Sequence, residues 1–150
     1  MASLNPFQGA LGLRRAAHLL RRSSYRYTRA KVDEMANQTA ADALASLLTV
    51  NPLQLDQPLY SAGAAAPATW INPPQPPTAT LPADDMVLSR FVTAWWTNEA
   101  LHDAGIAHRM TLFLHQFLAV DTESGSSMAF YDYLSLLRWG ALGNFKKLVT

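Results

Sequence analysis

No cysteine occurs among these 150 residues, which excludes disulfide scaffolds, thiolate zinc sites and cysteine nucleophiles together. No apolar run approaches the roughly 18 residues that cross a bilayer, so the sequence reads as a soluble chain. Charge is scarce as well. Only 15% of residues are charged against 49% hydrophobic, a balance too apolar for general disorder and sufficient for a buried core. Ordinary domains run to roughly 100 to 200 residues, so a second independent core is not expected. P-loop, GxGxxG, HExxH and GxSxG patterns are absent, which leaves nucleotide binding, zinc proteolysis and α/β-hydrolase chemistry without their usual carriers.

Acidic residues are missing altogether before Asp33. Arg14, Arg15, Arg21, Arg22, Arg26, Arg29 and Lys31 stand there without a carboxylate, whereas the remainder holds 5 Lys or Arg against 11 Asp or Glu. The net charge of +1 therefore hides a basic arm on an acidic body. A twin-arginine export signal also pairs arginines, but it continues into an apolar segment of about 7 to 15 residues. Arg22 is followed by Ser-Ser-Tyr-Arg-Tyr-Thr, so no signal peptide is expected here, and the compartment stays open.

What is present is helical periodicity. Residues 10 to 49 read as two or three helices. On a 100° wheel Leu13, Ala16, Ala17 and Leu20 share one face, opposite an arc of about 120° filled by Arg14, Arg15, His18, Arg21 and Arg22. Thr28 suits the cap of a second helix through Val32 and Met35. Thr39 and Asp42 have capping-box spacing ahead of Leu44, Leu47 and Leu48. From Asp84 a stripe of Leu88, Phe91, Val92 and Trp95 begins a longer helix that Gly105 is placed to stop. Met110, Phe113, Leu114, Phe117 and Leu118 then mark Ile106 to Val120 as the expected central core helix. Met128, Tyr131, Leu134 and Leu137 trace another, and Gly143-Asn144 punctuates before Phe145 to Val149. No period-2 strand is convincing.

Eight of the nine prolines fall between residues 50 and 83, which excludes regular helix or central strand there. Pro73-Pro74-Gln75-Pro76-Pro77 has the composition of a polyproline II ligand. Leu53, Leu55, Leu59, Trp70 and Ile71 favour a connector that packs back on the helices. The reading is a single all-α domain: a multi-helix bundle of basic N-terminal helices (9–49), a long proline-rich irregular connector (50–83) and aromatic-rich helices (84–150).

The run Ala17-His18-Leu19-Leu20-Arg21-Arg22 with Tyr25 and Thr28 resembles the opening of the bacterial family called domain of unknown function 1800. Trp95-Trp96, the block from Arg109 to His115, Leu137-Arg138 and Ala141-Leu142-Gly143-Asn144-Phe145 follow in the same order and spacing. Asn5-Pro6 with Gly9, Leu11 and Gly12 is similar to Bacteroidetes-type members. The resemblance covers about 9–49 and 86–150. It implies further helical segments after the Gly143-Asn144-Phe145 block, so the chain reads as the N-terminal portion of a larger domain. It also implies frequent export and genes beside a second uncharacterised family that resembles sulfatases and alkaline phosphatases. The family helix usually carries His-x-His. Here His115 matches the first histidine and Phe117 stands at the second, while Arg26 replaces a usual glycine, so any two-histidine site is degenerate.

His115 is nonetheless the candidate metal ligand or catalytic base for a metal-assisted hydrolase reading, with the missing C-terminal region supplying the rest and a divalent metal as the only cofactor implied. His108 lies on the same face but roughly 10.5 Å away along a helix, too far to share one ion. Asp121, Asp132, His18 and Glu99 are further ligand candidates by type. Glu99, His102 and Asp103 have ion-binding spacing, which a solvated helix face explains more simply. The arginines, with Tyr25 and Tyr27 interleaved, suit phosphate or an anionic surface; the bland account pairs them with acids elsewhere and makes Arg21 and Arg22 clamps. A pI of 8.1 falls short of the value above about 9 usual for strong nucleic-acid binders. Trp95 and Trp96 point about 100° apart, so one must leave the core face, and Trp96 becomes a contact candidate. The favoured function is a non-catalytic interaction or assembly module. It would use Arg21, Arg22, Trp96 and Pro73 to Pro77 toward a protein partner, the missing family region or a second copy.

Overall fold

The computed structural model describes residues 7–49, 55–61, 67–72, 82, 84–120 and 125–149. Among them are seven helices and no strand, so the protein is all-α; the only β pairing is two isolated bridges, Ala10 with Thr39 and Tyr60 with Ala68.

Helices α1 (Gly12–Ser23), α2 (Arg29–Ala36) and α3 (Ala40–Leu47) form the N-terminal part. Gly12 enters α1 at φ +72°, a conformation an L side chain rarely adopts. Thr28 Oγ1 accepts from Lys31 N at 3.2 Å, and Thr39 Oγ1 accepts from Asp42 N while donating to Asp42 Oδ2 at 2.7 Å, so both expected caps form. Leu11, Ala16, Leu20, Val32, Met35, Ala43 and Leu47 close one hydrophobic core. Full burial of a side chain such as Leu20 or Met35 contributes about 1.5–3 kcal/mol. Leu13, Leu44 and Leu48 belong to the expected apolar faces yet stand half exposed.

Helices α4 (Asp85–His102), α5 (Ala107–Phe117), α6 (Ser127–Gly140) and α7 (Phe145–Val149) form the rest. Helix α6 packs against α4, α5 and α7 and is the central helix. This corrects the expectation for α5, which ends at Phe117 and shows Phe113 and Phe117 to solvent at 49% and 70% exposure. Its buried side carries Ala107, His108, Thr111 and Leu114, because that is the face turned to its neighbours. Of the expected stripe, Leu114 is buried and Met110 and Leu118 are half-buried, so hydrophobic spacing misplaced Phe113 and Phe117.

A second core joins Trp70, Ile71, Leu88, Val92, Phe130, Tyr131 and Leu134. Trp70 Nε1 donates to Ser127 Oγ at 3.0 Å, and Asp85 accepts from both the Ser127 N–H and its hydroxyl at the start of α6. Trp70 and Ile71 thus pack back as expected, whereas Leu59 faces solvent; Leu53 and Pro73 to Pro77 lie outside the described residues.

Hydrogen bonds join the parts. Arg109 donates through Nε and Nη2 to the Ser24 carbonyl at 3.0 and 2.9 Å, and Ile106 N donates to Leu47 O at 3.1 Å. No helix among the described residues is long and apolar enough to cross a membrane.

Candidate functional site

The first candidate surface is the outer face of α1. Arg14, Arg15, His18, Arg21 and Arg22 are all exposed, on the side opposite buried Ala16, Leu20 and Ser23. Helical geometry dictates this: the inward face is fixed by the core, and the five polar side chains share the remaining arc. Among the described residues none of these five forms an ion pair with a carboxylate, so the pairing that would make Arg21 and Arg22 clamps is not found there. Arg21 instead meets the Tyr27 hydroxyl, which raises the guanidinium further above its ordinary value. Arg15 lies over the Phe7 ring at 4.3 Å and donates to Leu11 O. Beside the arginines runs a groove floored by Leu11, Leu19, Ala40 and Leu44.

The second candidate is the turn between α4 and α5. Asp103 caps the end of α4 and turns its side chain forward to the start of α5. Oδ1 accepts from Gly105 N at 2.8 Å, and Oδ2 accepts from His108 N at 3.4 Å and from His108 Nδ1 at 2.7 Å. An ionised carboxylate only accepts, so Nδ1 carries a proton directed at Asp103. His108 is 2% exposed, and Nε2 has no hydrogen-bond partner among the described residues. A Cβ at Gly105 would stand 3.2 Å from Asp103 Oδ1 and 3.3 Å from Leu47 O, tighter than ordinary contact, so a side chain there would crowd the turn.

Burial pushes the Asp103 carboxyl upward, but the His108 hydrogen bond, the Gly105 and His108 N–H groups and the His108 charge outweigh it and hold the carboxyl below its ordinary range. Burial lowers the neighbouring Arg138, opposed by the charges of Asp103 and Glu99. Trp96 closes the cluster with its ring centroid 6.1 Å from that of His108. Trp95 and Trp96 are both half-buried, so neither leaves the fold: Trp95 donates through Nε1 to Asp56 O at 3.0 Å, while Trp96 turns toward His108. Both face a cleft between α6 and residues 55–57 and 72.

The remaining predicted residues are dispersed. His115 Nδ1 lies 2.9 Å from Tyr133 Oη, which donates to Leu118 O and ties the end of α5 to α6. His102 is exposed, its Nδ1 on Asn98 O, while the Asp103 carboxylate is engaged by Gly105 and His108. His18 sits on the α1 groove and Asp132 at the α6 cleft, and Asp121 lies outside the described residues. No group of three or more His, Asp or Glu side chains that could hold a metal gathers among the described residues. The roles of Asp103, His108, Arg138 and Arg109 were missed by sequence reasoning. The available signal was Asp-x-Gly directly ahead of a helix, a capping pattern that turns the carboxylate away from its own helix face.

A model of the family described as protein of unknown function (DUF1800) matches residues 18–150, taking in the α4–α5 turn and, of the α1 face, His18, Arg21 and Arg22 but not Arg14 and Arg15. No curated protein and no solved structure matches this chain. The matched span takes in most of the sequence, and the chain belongs to the DUF1800 family.

Proposed function

We propose that this chain is a helical interaction module that docks on an anionic partner through the outer face of α1. The observation that carries the reading is the uninterrupted solvent face of Arg14, Arg15, His18, Arg21 and Arg22, without a carboxylate partner among the described residues. A face whose charges were balanced within the fold would offer little to a partner. Here the positive potential is left for one, and such potentials steer association.

Magnitudes set what the contact can do. An arginine close to an anionic surface contributes about 1 kcal/mol at ordinary ionic strength, so the four arginines together supply about 4 kcal/mol, a dissociation constant near 1 mM on their own. Tight docking needs the apolar groove beside them, or several copies acting together. Single-stranded nucleic acid is a poorer fit, because base stacking needs open aromatic faces. Tyr25 is covered by Arg109 at 4.9 Å, and Tyr27 is taken by Arg21. A hydrolase centred on His115 has less behind it, since its Nδ1 is committed to Tyr133.

The test is retention on an immobilised polyanion such as heparin, comparing the chain with its Arg14→Gln/Arg15→Gln/Arg21→Gln/Arg22→Gln variant. Retention of the parent and loss in the variant support the reading. Equal elution of the two proteins would sink it.

A further inference from the structure

The cleft between α4, α6 and the segments at residues 55–57 and 72 is a separate feature from the cationic face, and we propose that it binds a neutral carbohydrate. Its volume is about 380 Å³, inside the range of roughly 300 to 1,000 Å³ usual for small-molecule sites.

Its walls are aromatic. Trp95 is held by its Nε1 bond to Asp56 O, and its ring lies 5.2 Å from that of Tyr131 at a 44° tilt. Trp96 lines the inner wall with a buried Nε1–H that has no acceptor among the described residues. Trp139, 54% exposed near the end of α6, also lines the cleft, presenting its ring where packing would have hidden it.

Its mouth is polar. Asn72 holds φ +41°, a left-handed conformation that asparagine tolerates better than most residues, and its Nδ2 donates to Asp132 Oδ1 at 3.4 Å across 60 positions of sequence. Asp132, Ser135 and Trp139 recur at i, i+3 and i+7 on one side of α6, so hydrogen-bonding groups and a ring follow one another along the same edge.

The charges select against ions. An anion would meet the Asp132 carboxylate at the mouth. A cation drawn to the aromatic rings would lie against the Arg138 guanidinium on the same wall. A purely apolar ligand would strip water from the Ser135 hydroxyl and from the remaining hydrogen-bonding capacity of Asn72 and Asp132 without replacing it, which a site of this kind rejects. A pyranose meets all three conditions. Its C–H face is apolar and stacks on indole, its hydroxyl edge both donates and accepts, and it carries no charge.

The experiment titrates the full chain with cellotetraose, chitotetraose and maltotetraose separately, following tryptophan fluorescence, with choline chloride and citrate as charged controls. Expected is a saturable change with at least one saccharide. Trp139→Ala and Asp132→Asn should each weaken it at least about tenfold without loss of helical circular dichroism, and Trp139→Phe, which keeps a ring, should retain most of it. The proposal is overturned if none of the three saccharides gives a saturable response up to about 10 mM, if choline or citrate binds more tightly than any of them, or if Trp139→Ala binds as the parent does.

Discussion

Asp103 and His108 meet at 2.7 Å across the α4–α5 turn, the carboxylate accepting from the imidazole Nδ1–H while two backbone N–H groups point at the same side chain. One residue thereby ties the end of one helix to the start of the next and orients a buried histidine beside Trp96 and Arg138.

That arrangement has a pH signature. Asp103 is held below its ordinary range in the folded chain, so its stabilising contribution is complete above the unfolded carboxylate value of about 3.9 and is lost as pH falls through the lower folded value. Asp103→Asn should cost about 1.5–3 kcal/mol at neutral pH and flatten the loss of stability in acid. Urea unfolding at about pH 7 and about pH 3 measures both; a variant as acid-sensitive as the parent would refute the assignment.

Arg109 should be irreplaceable by lysine. Its planar fork places Nε and Nη2 on one carbonyl, Ser24 O, while its face lies over the Tyr25 ring. A lysine ammonium cannot reproduce that geometry, so Arg109→Lys should lower unfolding free energy by about 1–2 kcal/mol. A urea midpoint unchanged from the parent would show that this bridge does not join the two parts.

Asp85 should matter to α6 more than to its own helix. It accepts both the N–H and the hydroxyl of Ser127, which is buried and accepts in turn from Trp70 Nε1. Asp85→Ala should destabilise by about 2 kcal/mol, since it strands a buried donor, and shift the Trp70 emission to the red. A normal emission maximum with normal stability would contradict the network.

Gly140 approaches α7 closely. A Cβ there would stand 2.5 Å from Leu148 Cδ1 and 3.1 Å from Leu148 Cγ. Gly140→Ala should therefore push Leu148 away and speed amide exchange across α7, with global stability changed by less than about 1 kcal/mol because a short helix with no buried residue gives way first. Unaltered exchange over 145–149 would mean that α7 does not depend on this contact.

The all-α fold was legible because caps and periodicity act locally. Thr28, Thr39 and the cationic arc of α1 need only their near neighbours in sequence, and each stands where local rules put it. The buried face of α5 was not legible. Its apolar stripe of Met110, Phe113, Leu114, Phe117 and Leu118 is only partly turned inward, because tertiary packing centred the buried face on Ala107, His108, Thr111 and Leu114 and left Phe113 and Phe117 to solvent. Asp103 read as part of a solvated triplet with Glu99 and His102, since nothing in helical spacing reveals a side chain that turns forward past Gly105 to the next helix. Trp96 was singled out as a contact residue from its place beside Trp95, but its real neighbours, His108 and the cleft, depend on how α5 and α6 pack.

The central claim is that α1 docks through arginines that have no carboxylate partner among the described residues, and the salt dependence of binding tests it most directly. Affinity for heparin, measured at several salt concentrations, should fall linearly on logarithmic axes. Replacing Arg14 and Arg22 with glutamine should make that slope shallower by about two counterions. A slope near zero, or one unchanged in the double variant, would contradict docking by this face.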